Sequence, residues 1–258
     1  MKVPFHIVQG RRERLARLLR ANGYLPLMEV CQRLGVSQAT ARRDLVALAA
    51  DKTIIRTYGG AISEYDEGFA SFRDRQRSHR AAKMRIAQAA LGLLKPGSTC
   101  FLDAGTTIHL LAEAIAEADI RPLTIVTNNL PVAEALSDAK GVEVDLVAGR
   151  YAARQRVLLG AKAQRSVTLW QFDAAFLSAE GMNEEGLWNS QADVVALQRA
   201  VAEMAPMVAF CIDASKVGER APEFLLPWTC VHRLVTDATA AALRAAHIPI
   251  LKHKVLAA

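Results

Sequence analysis

Apolar positions in the N-terminal part of the chain recur at helical spacing in three short blocks. Leu15, Leu18 and Leu19 mark a helix from Glu13 to Ala21, which Asn22 and Gly23 are suited to end. Leu27, Val30 and Leu34 form one side of a second helix, closed by Gly35. A third follows after a turn of only a few residues: Ser37 stands at the N-cap, and Ala41, Leu45 and Leu48 fall at i, i+4 and i+7. Two short helices joined so closely have the spacing of a helix-turn-helix. Beyond them, the β-branched and aromatic residues from Thr53 to Ile62, interrupted by Gly59 and Gly60, predict a short strand pair placed as a wing.

From Ala81 onward the pattern alternates. A helix over 82–94 leads through Lys95-Pro96-Gly97 into a strand at 99–103, and a helix over 107–118 follows. Further apolar, β-rich runs cover 123–127, 142–148, 174–179, 207–213 and 233–236, mostly with helical segments between them. Alternation of this kind predicts an α/β fold, a mainly parallel sheet covered on both faces. A hydrophobic content of 52% allows a core in each of two domains.

Charge separates the two parts. Residues 1–62 hold eleven Lys and Arg against four acidic residues, an excess of seven, whereas the remainder of the chain has one more acid than base. The positive excess coincides with the helix-turn-helix pattern, which points to binding of double-stranded DNA. On the third helix Gln38, Ala39, Arg42 and Arg43 lie opposite the apolar stripe, and an arginine fork suits both guanine and phosphate. Arg11, Arg12 and Arg17 are expected at phosphates. Residues 63–82 are polar and strongly charged and read as a linker, giving a DNA-binding domain over 1–62 and a second domain over 83–258. With no apolar run of membrane-spanning length and no signal-peptide core, a cytoplasmic protein is expected. Cys31, Cys100, Cys211 and Cys230 form no CxxC; no metal or cofactor is expected.

In parallel sheets ligands bind outside the carboxyl ends of the strands. Four such ends carry suitable chemistry. Asp103-Ala104-Gly105-Thr106-Thr107 combines small residues with hydroxyls and free N–H groups that can hold a phosphate. Thr127 and Asn128 end the next strand, Gly149 and Arg150 the third, and Asp213 to Lys216 another. Each residue also has an ordinary role: Thr106 as a helix cap, Asn128 in a turn, Asp213 as a strand-end cap, Lys216 as a surface charge. Together their anion holders and hydroxyl readers suit a phosphorylated sugar. An isomerase, with Asp103 as base and Lys216 steadying an enediolate, is the competing reading. Six scattered histidines and the lack of a separate acid–base set weigh against it.

Residues 12–62 resemble the winged helix of the DeoR/GlpR family of bacterial transcription regulators. The resemblance rests on Ser37-x-x-Thr40-Ala41-Arg42-Arg43-Asp44-Leu45 and on Arg56-Thr57-Tyr58-Gly59-Gly60-Ala61. It implies DNA contacts from Ser37, Gln38, Thr40, Arg42, Arg43, Arg56 and Tyr58. Ala41 and Lys52 depart from the family pattern, where a larger aliphatic and a glycine are usual. Residues 83 to about 237 resemble the family's sensor domain at Lys83, Ile86, Asp103 to Thr107, Thr127-Asn128, Gly160, Phe172-Asp173, Gly181, Gly186 and Asp213 to Lys216. That domain is related to ribose-5-phosphate isomerase and the CoA transferases, and it implies a phosphorylated sugar or related effector. The effector-site candidates are Asp103, Gly105, Thr106, Thr107, Thr127, Asn128, Arg150, Asp213 and Lys216. Arg150 and Ala214 replace a usual glycine and serine there. The resemblance implies a repressor of carbohydrate genes, released from its operator by the effector. A homo-oligomer is expected because paired half-sites multiply specificity.

Overall fold

The computed structural model describes residues 5–22, 24–50, 54–56, 60–63, 72–249 and 254–258. Two compact units divide the chain, Met1–Ala70 and Ser71–Ala258.

The first unit runs α1 (Phe5–Asn22), β1 (Tyr24–Pro26), α2 (Leu27–Leu34), α3 (Gln38–Ala50), β2 (Ile54–Arg56) and β3 (Gly60–Ser63). Leu15 and Leu19 of α1, Val30 of α2, and Ala41, Leu45 and Leu48 of α3 bury their side chains in one core, so the three apolar stripes meet as their spacing requires. α2 ends because Gly35 takes the left-handed conformation (φ 64°), which lets the Val36 N–H reach the Cys31 carbonyl at 3.1 Å. The Ser37 hydroxyl accepts from the Thr40 N–H at 3.3 Å and so caps α3. Two differences from the sequence reading stand out. α1 begins at Phe5, two turns before Glu13, because the polar and glycine stretch from Gln9 to Arg14 separates Phe5, Ile7 and Val8 from the stripe that starts at Leu15. The wing has three strands: β1 pairs antiparallel with β3, with Leu25 opposite Ala61, on the side away from β2. Three residues ending in proline are too few to show alternation. Tyr58 and Lys52 lie outside the described residues.

The second unit opens with α4 (Phe72–Arg77) and α5 (Arg80–Leu91), both inside the stretch read as linker or just beyond it. Its α/β succession is β4 (Thr99–Leu102), α6 (Thr106–Glu117), β5 (Leu123–Thr127), α7 (Leu130–Leu136), β6 (Val142–Leu146), β7 (Arg150–Ala152), β8 (Val157–Leu159), α8 (Ala161–Val167) and β9 (Ala174–Leu177). Then come β10 (Gly181–Met182), β11 (Leu187–Asn189), α9 (Ala192–Met204), β12 (Val208–Cys211), a 3-10 turn at Ala214–Lys216, β13 (Glu223–Leu226), β14 (Arg233–Thr236), α10 (Ala240–Ala245) and β15 (Val255–Ala257). Seven strands form a sheet in the order β15-β14-β12-β9-β4-β5-β6, and every pairing is parallel.

Alternate residues of these strands supply two separate cores. Phe101, Leu177 and Phe210 pack against Val195 and Val201 of α9 on one face. Leu102, Phe176 and Cys211 pack against Ile86 of α5 and Ile108 and Leu111 of α6 on the other. A strand buried on both faces reads as a continuous apolar run, which is why these were legible. The small sheet β10-β11-β13 and the hairpin β7-β8 were not anticipated, since neither carries more than four residues per strand.

The expected linker at 63–82 needs correction. Ser63 closes β3, and from Phe72 the chain is already part of the second unit: the buried Phe72 ring meets the His109 ring edge-on at 5.6 Å. One apolar residue among many charges is a weak signal, and it was outvoted by composition.

Candidate nucleic-acid interface and ligand cavity

On α3, Gln38, Ala39, Arg42 and Arg43 are exposed opposite the buried Ala41 and Leu45. Arg43 Nε donates to the Ala39 carbonyl at 3.2 Å, which lays that side chain along its own helix. Thr40 is half-buried, with its hydroxyl 3.1 Å from that of Ser37. Gln38 Nε2 reaches Met28 Sδ at 3.1 Å, linking the starts of α2 and α3. Arg17 of α1 is exposed, and Arg56 lies at the end of β2.

Arg11 and Arg12 are engaged within the domain. Arg11 donates through Nε to Asp44 Oδ2 at 2.6 Å and through Nη2 to Oδ1 at 3.2 Å; Arg12 Nε donates to Oδ1 at 3.1 Å. The Asp44 side chain is 2% exposed. Its place one residue before Leu45 and three after Ala41 puts it on the inner face of α3, and that offset was the available signal. The Arg11 guanidinium is held further above its ordinary value, first by its hydrogen bond to Asp44.

In the second unit a cavity opens at the carboxyl ends of the adjacent strands β4, β9 and β12. Gly105, Thr106 and Thr107 form one wall at the start of α6. Gly105 has φ 134°, a value open to glycine, and a Cβ there would meet Ser178 Oγ at 2.6 Å. The backbone N–H groups of the first turn have no intrahelical acceptor, and the helix dipole favours an anion beside them. Asp213 and Lys216 form a second wall. Asp213 Oδ1 accepts from the Ser215 N–H and hydroxyl at 3.1 and 2.5 Å, which shapes the 3-10 turn that presents Lys216.

Three residues of the presumed linker, Arg75, Ser78 and His79, line the same cavity, together with Lys83 just beyond it. Lys83 is buried, and its Nζ donates to the Arg75 and Ser78 carbonyls at 2.7 and 2.8 Å. Burial lowers its pKa, opposed by the nearby Asp213 carboxylate. Ser178, Glu180, Asn189 and Gln191 complete the polar lining. Burial pushes the Glu180 carboxyl above its usual range. None of these except Lys83 had stood out in the sequence.

The remaining candidates sit elsewhere. Asp103 is fully buried behind the wall, where its Oδ2 accepts from the Ser178 N–H at 3.1 Å, the Ser178 hydroxyl at 3.3 Å and Gln198 Nε2 at 2.6 Å. Gln198 in turn accepts from Asn189 Nδ2 at 2.9 Å, so Asp103 braces the lining. Burial pushes its pKa up to about 6, and Oδ1 has no hydrogen-bond partner among the described residues. Thr127 is buried and donates to the Leu102 carbonyl at 2.6 Å, tying β5 to β4. Asn128 is buried beneath β8, with Nδ2 3.4 Å from the Leu158 carbonyl. Arg150 is exposed and pairs with Asp193 at 3.2 Å. Thr127, Asn128 and Arg150 do not line the cavity.

Comparison with known proteins agrees with both halves. The DeoR-like helix-turn-helix domain matches residues 11–66, and the DeoR C terminal sensor domain matches residues 78–238. The transcriptional repressor GlcR of Bacillus subtilis is 30% identical over 212 residues, 81% of each chain. A putative aga operon transcriptional repressor of Escherichia coli is 28% identical over 231 residues, 88% of this chain and 85% of its own. Ribose 5-phosphate isomerase A of Methanocaldococcus jannaschii aligns with 55% of this chain and 58% of its own, at 16% identity and a TM-score of 0.40. Two consecutive domain matches and a relative of this similarity place the chain in the DeoR family of DNA-binding transcriptional regulators, which are not enzymes.

Proposed function

We propose that this regulator is a cytoplasmic, homo-oligomeric repressor of carbohydrate-metabolism genes that binds a DNA operator through α3 and is released by a phosphorylated sugar bound in the second unit. Gln38, Arg42 and Arg43 read the major groove, while Ser37 and Thr40 hold the start of the helix. Arg17 and the wing residues Arg56 and Tyr58 meet phosphates or the neighbouring groove. Arg11 and Arg12 serve the interface by orienting α3 through Asp44.

A single observation carries the effector reading. One cavity joins the glycine-led start of α6 to the Lys83 and Lys216 ammonium groups and to the amides and carboxylates of Asn189, Gln191 and Glu180. Free N–H groups and cations hold a phosphate, and mixed donors and acceptors match sugar hydroxyls. Gly105, Thr106, Thr107, Asp213 and Lys216 are the contact residues in this assignment, with Asp103 as their brace. The transcriptional repressors among its relatives support the repressor part of the reading. Titrating a panel of sugar phosphates into a preformed complex with a fluorescent operator tests it. At least one should lower operator affinity at constant salt while the free sugar does not. Operator binding indifferent to the whole panel would refute the reading.

A further inference from the structure

α3 carries an apolar side chain that the core of its own unit does not use. Val46 is 48% exposed, although a β-branched residue is a middling helix former and gains nothing from contact with water. A single exposed valine is ordinary on a protein surface, so its neighbours decide the matter. Ala39, Arg42, Arg43 and Val46 stand at i, i+3, i+4 and i+7, all exposed, and form one stripe opposite the buried Ala41, Leu45 and Leu48. Arg43 leans back to the Ala39 carbonyl, away from Val46, and so leaves the valine methyls uncovered on that side. The stripe includes no acid: Asp44, the acidic residue of α3, is buried against Arg11 and Arg12.

Charge selects the occupant of this face. Two cations beside an aliphatic group repel the same face of a second copy and attract a polyanion. In the major groove of DNA, the surface that offers acceptors to an arginine fork also offers one apolar group, the C5 methyl of thymine. Valine suits it because one side-chain rotamer dominates in a helix, so its two methyls are held in place. At about 1.5 Å of rise per residue, Val46 stands about 6 Å beyond Arg42 along the axis, roughly two base-pair steps.

We infer that Val46 reads the C5 methyl of a thymine about two base pairs from the guanine bound by Arg42, so that each half-site holds a guanine and a thymine at this spacing. This rests on the assignment of α3 to the major groove and adds to it a base that the arginines do not specify.

The experiment uses the full chain. Duplexes are selected from a random pool by wild type, Val46→Ala and Arg42→Ala. The tightest wild-type duplex is then remade with deoxyuridine at each thymine in turn, which removes the methyl and keeps the base pairing. Binding is measured by fluorescence anisotropy at fixed salt. One thymine in each half-site should respond: its deoxyuridine form should bind wild type about fourfold more weakly, the worth of one buried methyl group. Val46→Ala should lose a similar factor on the thymine duplex, and the two losses should not add. Sites selected by Val46→Ala should keep the guanine and lose the preference for thymine. Val46 lies outside the core, so the variant should melt as wild type does, and its lost affinity is then a lost contact. Losses that add, or a Val46→Ala protein that binds and selects as wild type does, overturn the inference. If Arg42→Ala relaxes the guanine preference in that case, the groove assignment of α3 stands without it. If neither variant alters the selected sequence, the groove assignment fails and the inference with it.

Discussion

Arg11 on α1 and Asp44 on α3 are joined by two hydrogen bonds, at 2.6 and 3.2 Å, and the carboxylate they share is almost wholly buried. The pair fixes the angle at which α3 leaves the core, with Arg12 as a second donor. Removing the acid would strand two cations near an apolar core. Because both arginines retain some solvent contact, Asp44→Ala should cost about 2 kcal/mol of stability, less than for a wholly buried pair. Urea denaturation measures this.

The same relationship divides the arginines of α1 by their effect on salt dependence. A cation that neutralises a phosphate contributes roughly 0.9 to the slope of log affinity against log salt. Arg17 is exposed, and Arg17→Ala should lower the slope by about one. Arg11 already spends its charge on Asp44, so Arg11→Ala should leave the slope unchanged while weakening the fold. Equal loss of slope in both variants would mean that Arg11 reaches DNA.

Arg42 projects freely from α3, whereas Arg43 is partly anchored to the Ala39 carbonyl. Arg42→Ala should cost about 1 to 3 kcal/mol on the specific operator and far less on random DNA. Competition binding at fixed salt checks the difference. Unfolding is not expected, since neither side chain contributes to the core.

Asp103 makes stability depend on pH in an unusual direction for a carboxylate. Its pKa is about 6 in the folded chain and 3.8 as the ordinary value, so the folded state holds the proton more tightly. The associated stability is complete below pH 3.8 and is lost as the pH rises through 6, a change of at most roughly 3 kcal/mol. Asp103→Asn should flatten the profile between these values and raise stability at pH 7. The amide oxygen can still accept from Ser178 and Gln198, and the amide nitrogen replaces the unpartnered Oδ1. Denaturation at pH 5 and pH 7.5 for both proteins decides it.

The elements legible in the sequence were those whose burial leaves a period. α2 and α3 carry an apolar stripe against one core, and the central strands are buried on both faces, so their residue types follow from packing alone. Gly105, Thr106, Thr107, Asp213 and Lys216 were legible for another reason: parallel topology sends every strand end to one edge of the sheet. Topology could not say which ends converge. β4, β9 and β12 are neighbours, so Ser178, just after β9, meets Gly105, while Thr127 and Asn128 at the end of β5 are covered by β8. Arg75, Ser78 and His79 stayed hidden because a charged stretch reads as solvent-exposed, and Lys83 stood out by resemblance alone, since a buried lysine bonded to main-chain carbonyls leaves no mark on composition. The pairing of Asp44 with Arg11 spans 33 residues and depends on the angle between two helices, which periodicity does not encode.

Gly105 and Lys216 separate the shape of the proposed effector cavity from its charge. At Gly105 a Cβ would lie 2.6 Å from Ser178 Oγ, and φ is 134°. That hydroxyl donates to the Ala104 carbonyl at 2.6 Å, so it cannot swing aside without breaking a bond at the same turn. Gly105→Ala should therefore strain the start of α6, costing about 1 to 3 kcal/mol of stability, and should misplace the N–H groups that face the ligand. Lys216 is different: it stands on the 3-10 turn, carries no core packing, and its removal takes away one positive charge. Lys216→Ala should leave the melting temperature within a degree or two of wild type, about the range of an ordinary surface change, yet shift the sugar-phosphate concentration needed for operator release upward by about tenfold. Melting curves and operator-release titrations on the two variants give the comparison. If Lys216→Ala releases the operator at the wild-type ligand concentration, the lysine belongs to the protein surface and the charged end of the effector lies elsewhere in the cavity.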